Sequence, residues 1–352
     1  MSTIKEQAYK PYLDGVRGLS ILLVAVSHGG FGHVVPGGLG VTIFFFISGY
    51  LITTLLLKEM REQGAIRLSD FYMRRLWRLM PALVVYLILA LAAYVFFNQP
   101  IDAKEPISAI FYLSNYYNIF LGYEPLAGAH SAYSVLWSLA IEEHFYLFFA
   151  PLIAFVRSRR GLTVCISFML LGPLLIRGWV THYTTASFSE NYTYYATDAR
   201  IDSIAYGSLL AILGCRSVTW MKPGHMVILG LGGIFFSLAY RDDYFRQVLR
   251  YSLQGVCLYM IFGVLVFTNQ MALMRRLLSA RFMVFIGKLS YSMYLYHWLA
   301  LIVMIAYLGR TESTLAWQTG YWMLTFGSAA LSYYFVERPT LRLRVKYGSH
   351  AG

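Results

Sequence analysis

The chain has 352 residues, of which 58% are hydrophobic and 13% charged. A soluble domain carries about 25% charged residues, so this composition excludes an ordinary soluble protein and points to one dissolved in a bilayer. A formal net charge of +12 would suit nucleic acid, but the basic residues sit between apolar runs, where they read as a topology signal and exclude that partner.

A spanning helix needs about 20 mostly apolar residues. In chain order, the stretches 13–29, 38–57, 80–98, 135–156, 162–180, 201–215, 225–240, 251–268, 283–308 and 316–336 meet or approach that length. The stretch 201–215 is short and needs extension or local tilt. The expected fold is an all-α integral membrane bundle of about ten transmembrane helices. An even count puts both termini on one side, and 22 of the 29 lysines and arginines fall there against 7 opposite. The positive-inside rule makes that side cytoplasmic.

Between the spans, residues 58–78, "KEMREQGAIRLSDFYMRRLWR", read as an amphipathic surface element. The aromatic and polar stretch 98–134 reads as a structured loop on the opposite side. The first apolar segment follows a polar start, lacks an A-x-A site and leads straight into a second span, so it is not a cleaved signal peptide. A single domain over 1–352 is expected. Cys165, Cys215 and Cys257 have no metal-type spacing; they read as packing residues, and no metal site is expected.

Charged groups inside spans cost at least about 2.5–3.5 kcal/mol each at mid-helix, so each needs a reason. Arg17 and His28 are eleven residues apart. On a helix that is about 20° past three full turns and about 16 Å along the axis, so both project from one face. An interfacial arginine and a histidine wetted by headgroups would give the same spacing. The glycines of "GGLGVTIFFFISGYLI" carry no phosphate-loop lysine and read as sites of close helix contact. Arg75 and Arg78, in "RRLWR", share a helix face and have the fork geometry for phosphate, though anionic lipid would also attract them. Glu142 and Glu143 enter a span at about the depth of His28, and only one of them can face the same cavity. Asp198, Arg200 and Asp202 stand at the entrance of another span, where they either neutralise one another or grip a polar acceptor. His297 lies mid-span among tyrosines and reads as a packing residue.

These pieces together resemble acyltransferase family 3, the polytopic membrane O-acyltransferases of bacterial surface glycans. The matching segments are "YLDGVRGLSILLVAVSH", "GVTIFFFISGYLI", "FYMRRLWRLMPAL", "LWSLAIEEHFYLFFAPL", "ARIDSIAYG", "LSYSMYLYHW" and "FVERP", in family order from about residue 11 to 340. His144 departs from the pattern, since many members have glutamine there. No fused extracytoplasmic esterase-like domain is expected, and with it no two-step relay through such a domain. The resemblance implies acyl-coenzyme A, usually acetyl-CoA, as donor, with no metal. It further implies a glycan acceptor at the outer face, membrane lipids as surroundings, and the bacterial cytoplasmic (inner) membrane as location. It makes Arg17 and His28 the family's essential pair. The mechanism expected from it has Arg75 and Arg78, with Arg17, holding the donor phosphates. His28 is the general base, Glu142 fixes its tautomer, and Asp198, Arg200 and Asp202 contact the acceptor. The same intramembrane charges also fit a proton-coupled transporter, although no two matching halves with broken helices are visible.

Overall fold

The computed structural model describes residues 9–122 and 130–343, and among these every regular element is helical. Helix α1 (Pro11–Val26) continues without a break into a wider turn at Ser27–Phe31. Helices α2 (Gly37–Gln63) and α3 (Leu68–Phe96) follow, joined by a short connection. Two short helices, α4 (Lys104–Ile110) and α5 (Ser114–Phe120), precede α6 (Trp137–Phe155). Then come α7 (Arg159–Tyr183), α8 (Ala186–Tyr195), α9 (Thr197–Leu213), α10 (Pro223–Ala239) and α11 (Arg250–Phe267). The chain closes with α12 (Ala272–Leu278), α13 (Arg281–Leu308), α14 (Leu315–Ser332) and a final turn, α15 (Arg338–Leu341).

Among the described residues, seven helical stretches are long and apolar enough to cross a membrane: 37–63, 68–96, 134–155, 159–183, 186–218, 245–267 and 281–308. They make this a multi-pass membrane protein. The three other expected spans are helical but fall short of that standard. Helix α1 has 16 residues and carries Asp14 and Arg17. Helix α10 has 17 residues. Helix α14 has 18 residues, among them Gln318, Thr319, Thr325, Ser328 and Ser332.

Local sequence sets the boundaries. Proline opens α1 and α10, where its missing N–H costs nothing. The side chains of Ser158, Thr185 and Thr314 accept from the first-turn amides of α7, α8 and α14. The expected surface element at 58–78 is not separate. Its two ends prolong α2 and α3, and Gly64 turns the chain between them in the left-handed region at φ 73°. The stretch 98–134 is structured where described, by α4, α5 and a short turn at Ser134–Leu136; residues 123–129 lie outside the described residues.

Packing runs through small residues, as the glycine-rich stretch of α2 implied. Helix α1 lies between α13 and α2, and α2 lies against α9. A Cβ on Gly287 would fall 1.9 Å from the carbonyl oxygen of Asp14, and one on Gly18 2.5 Å from that of Met283. A Cβ on Gly207 would fall 1.9 Å from the carbonyl of Phe46, and one on Gly49 2.0 Å from that of Ile204. The backbones of α1 and α13, and of α2 and α9, therefore touch directly.

Candidate active site

The site is built on α1, α3, α6 and α13. Near its end α1 loses regular winding: Ser27–Phe31 form a π-turn, and Gly30 adopts φ 99°, a conformation open to glycine. The loosened carbonyls are taken up by α14. Tyr321 donates its hydroxyl to the Ala25 carbonyl at 2.7 Å, and the Gln318 amide donates to that of Gly29 at 2.6 Å. His28 is thereby held in a widened turn clamped from one side.

The partner of His28 is His297 of α13. His28 Nδ1 and His297 Nε2 are 3.0 Å apart, and Trp298 meets the His28 ring edge-on at 4.9 Å between centroids. The Met293 carbonyl, 3.0 Å from His297 Nδ1, can only accept. With both rings neutral, His297 then donates from Nδ1 and accepts at Nε2, and His28 donates from Nδ1. His28 Nε2 is left with its lone pair. His297 is fully buried and His28 half-buried. Two expectations are corrected here. His297 is not a bystander among tyrosines, and the group that fixes the His28 tautomer is His297 rather than Glu142. The signal was available: a mid-span histidine is as costly on α13 as on α1.

Glu142 lies elsewhere. Ser48 and the guanidinium groups of Arg75, Arg17 and Arg78 act on its carboxylate. These arginines line a cavity of about 640 Å³ at the opposite end of α1 from His28. Its walls carry six basic side chains, including Lys58, Arg74 and Lys288, against the carboxylates of Asp14, Glu59, Glu62 and Glu337. Glu59 is bound by Arg74 at 2.8 Å and Glu62 faces Lys58 at 3.8 Å. Glu337 accepts a short hydrogen bond from Ser292. The cavity is thus net positive, with the Arg75 guanidinium stacked 4.0 Å from the Tyr146 ring. Arg17, Arg75 and Arg78 come together as expected. Glu337, in the quoted "FVERP", joins them without having been assigned a role.

The cavity shares Tyr291 with a chamber of about 30 Å³ that has mostly carbon walls. Tyr294 also lines the chamber, its ring 5.6 Å from that of His297 between centroids.

The acidic cluster on α9 is dispersed rather than gathered at an entrance. Asp202 is fully buried and pairs with Arg177 of α7 at 2.9 Å; Ser252 adds a bond to the same oxygen. Arg177, near the end of the expected span 162–180, is fully buried too, donating to the carbonyls of Val248 and Ala199. A charge at this depth persists only with a partner, so Asp202 serves the fold instead of meeting an acceptor. Arg200 is buried with its guanidinium 3.7 Å from the Tyr251 ring. Asp198 alone is partly accessible; Tyr192 and Tyr116 donate to it at 2.7 and 3.2 Å. Among the described residues no group of histidine, cysteine and carboxylate side chains is arranged to hold a metal ion.

A helical membrane bundle thus carries a basic cavity at one end of α1 and a histidine pair at the other. Residues 10–337 match the model of the acyltransferase 3 family, described as an acyltransferase domain, and the chain belongs to that family. O-acetyltransferase OatA of Staphylococcus aureus, from strain NCTC 8325 and likewise from strain COL, is 31% identical over 357 residues, covering 94% of this chain and 57% of the relative. A protein named "Putative O-acetyltransferase" from strain MSSA476 is 31% identical over 363 residues, covering 97% of this chain and 59% of the relative. The chain thus spans less than two thirds of the length of these curated relatives. No solved structure matches.

Proposed function

We propose that this protein is a membrane O-acyltransferase that moves an acetyl group from cytoplasmic acetyl-CoA to a hydroxyl of an envelope or exported glycan. The observation that carries the reading is the histidine pair on α1 and α13, set at the other end of α1 from the basic cavity containing Arg17. The names of the relatives agree with O-acetyl transfer. The cavity fits the donor chemically: Arg17, Arg75 and Arg78 offer guanidinium forks for its phosphates, and Lys288 adds charge.

In the reaction, His28 Nε2 takes the proton of the acceptor hydroxyl as its oxygen attacks the thioester carbon. The new C–O bond forms, the C–S bond breaks, and the proton passes from His28 to the leaving thiolate. His297 holds His28 in the tautomer that leaves Nε2 free. Asp198 is the remaining candidate for sugar contact. The topology belonging to this reading has ten spans, with α1, α10 and α14 included, both termini in the cytoplasm, and the bacterial inner membrane as site. Donor and acceptor then reach α1 from opposite faces.

The test uses membranes from cells expressing the wild type or His28→Ala, supplied with acetyl-labelled acetyl-CoA. Label should enter the glycan fraction with the wild type and vanish with the variant at equal protein level. Undiminished transfer by His28→Ala would overturn the assignment of the base, and label that never leaves the donor would favour a carrier.

A further inference from the structure

The chamber of about 30 Å³ between Tyr291 and Tyr294 has three features that the bundle itself does not use. First, Tyr291 belongs both to it and to the basic cavity, while Val24 in its wall lies four residues before His28. Tyr291 thus joins it to the arginine cavity, and α1 leads from it towards His28. Second, Ser20, Ser290 and Glu142 line it, and among the described residues Ser20 Oγ, Ser290 Oγ and one carboxylate oxygen of Glu142, Oε1, have no hydrogen-bond partner, although Ser20 and Ser290 are 0% exposed and Glu142 7%. Buried polar groups are nearly always paired, and three unpaired ones around one apolar chamber mark a place where a ligand completes the pairing. Third, the chamber is small. A water-sized group needs roughly 10–15 Å³ on this measure, so the space suits two such groups, a methyl and a carbonyl oxygen.

We propose that this chamber is the acyl subsite: it receives the thioester end of the donor and limits the acyl group to acetyl. The assignment rests on the acyl-CoA reading above. The hydroxyls of Ser20 and Ser290 donate to the thioester carbonyl oxygen, which can only accept. The Glu142 carboxylate accepts from the amide N–H nearest the thioester. Longer acyl chains press their added methylenes into Val41, Phe44 and Leu139, and tightly packed interiors resist such insertion.

The experiment is equilibrium competition against tritiated coenzyme A on the purified full chain in detergent, without acceptor, using coenzyme A and its acetyl, propionyl and butyryl thioesters. The wild type should bind acetyl-CoA about tenfold more tightly than butyryl-CoA. Ser290→Ala and Ser20→Ala should each weaken acetyl-CoA about fivefold, the worth of one neutral hydrogen bond, and leave coenzyme A itself unchanged. Leu139→Ala should bring butyryl-CoA to within about threefold of acetyl-CoA by opening the wall. Unchanged coenzyme A binding reports that each variant is folded; if Leu139→Ala is not, the wild-type chain-length profile and the serine variants decide. Intact coenzyme A binding with a flat chain-length profile, or with no effect of either serine, would overturn the subsite and leave the donor reading standing. Absence of coenzyme A binding in the wild type would overturn the donor reading and the subsite with it.

Discussion

Replacing His297 separates a positioning role from a packing role. His297→Ala removes the acceptor for His28 Nδ1–H, a bond of 3.0 Å between a fully buried ring and a half-buried one. One neutral hydrogen bond contributes about 1 kcal/mol, which is about fivefold in rate if it is felt in the transition state. The released imidazole also becomes free to change tautomer, so about fivefold is the lower bound. The upper bound is the loss of the base itself, about 10²–10⁴-fold, the range expected of His28→Ala. His297→Gln keeps an acceptor oxygen near the same place and should recover much of the loss. The assay is acetyl transfer in membranes with donor concentration varied, so that kcat and the donor KM are read separately. The fall should appear in kcat, with KM unmoved, because His297 is remote from the arginine cavity. Wild-type kcat in His297→Ala, or a loss as deep in His297→Gln as in His297→Ala, would refute the reasoning.

Four further outcomes are expected. Asp202→Ala leaves Arg177 charged and unpaired in the core and should cost about 3–5 kcal/mol of stability; thermal unfolding in detergent checks this, and an unchanged midpoint would contradict the internal ion pair. Gly207→Ala, whose Cβ would meet the Phe46 carbonyl at 1.9 Å, should cost at least about 1–3 kcal/mol through overpacking, whereas Gly172→Ala has nothing within 4 Å and should be neutral or mildly stabilising. Arg75→Ala with Arg78→Ala should raise the donor KM steeply, since each charge-assisted phosphate contact is worth about 1.5–3 kcal/mol, while an acceptor KM that rises instead would place the donor elsewhere. Burial and then the Arg310 guanidinium hold His130 below the usual imidazole range, so its neutral form, the one that diethyl pyrocarbonate modifies, should persist to lower pH than in a free histidine. Arg310→Gln should move the midpoint of that modification upward, and a midpoint that stays or falls would exclude the charge as a cause.

Much of the fold was legible because lipid imposes length and apolarity on each helix separately, and both are local properties of sequence. Arg17 and His28 stood out for a related reason: charged and polar groups are costly inside a span wherever they fall. What lay hidden was what depends on pairing between distant helices. His297 is 269 residues from His28, and no spacing rule links them. Asp202 looked like an entrance carboxylate because its partner, Arg177 of α7, lies 25 residues away on another helix. Ser20 and Ser290 gave no signal at all, since serine is ordinary in membrane helices and only the three-dimensional arrangement shows their hydroxyls unpaired.

The backbone contact between α1 and α13 has a consequence for biosynthesis. The helix made early carries Asp14, Arg17 and His28, yet the surface that buries it is made some 270 residues later, as the separation of Gly18 from Gly287 shows. At about 5–20 residues per second of translation, α1 waits roughly 15–50 seconds for its partner. During that interval its polar face has to be tolerated by lipid, by α2, or by the insertion machinery. Mutations that weaken the glycine seam should therefore act first on assembly in the membrane, leaving α1 inserted but undocked and open to proteolysis, before any effect on chemistry is seen.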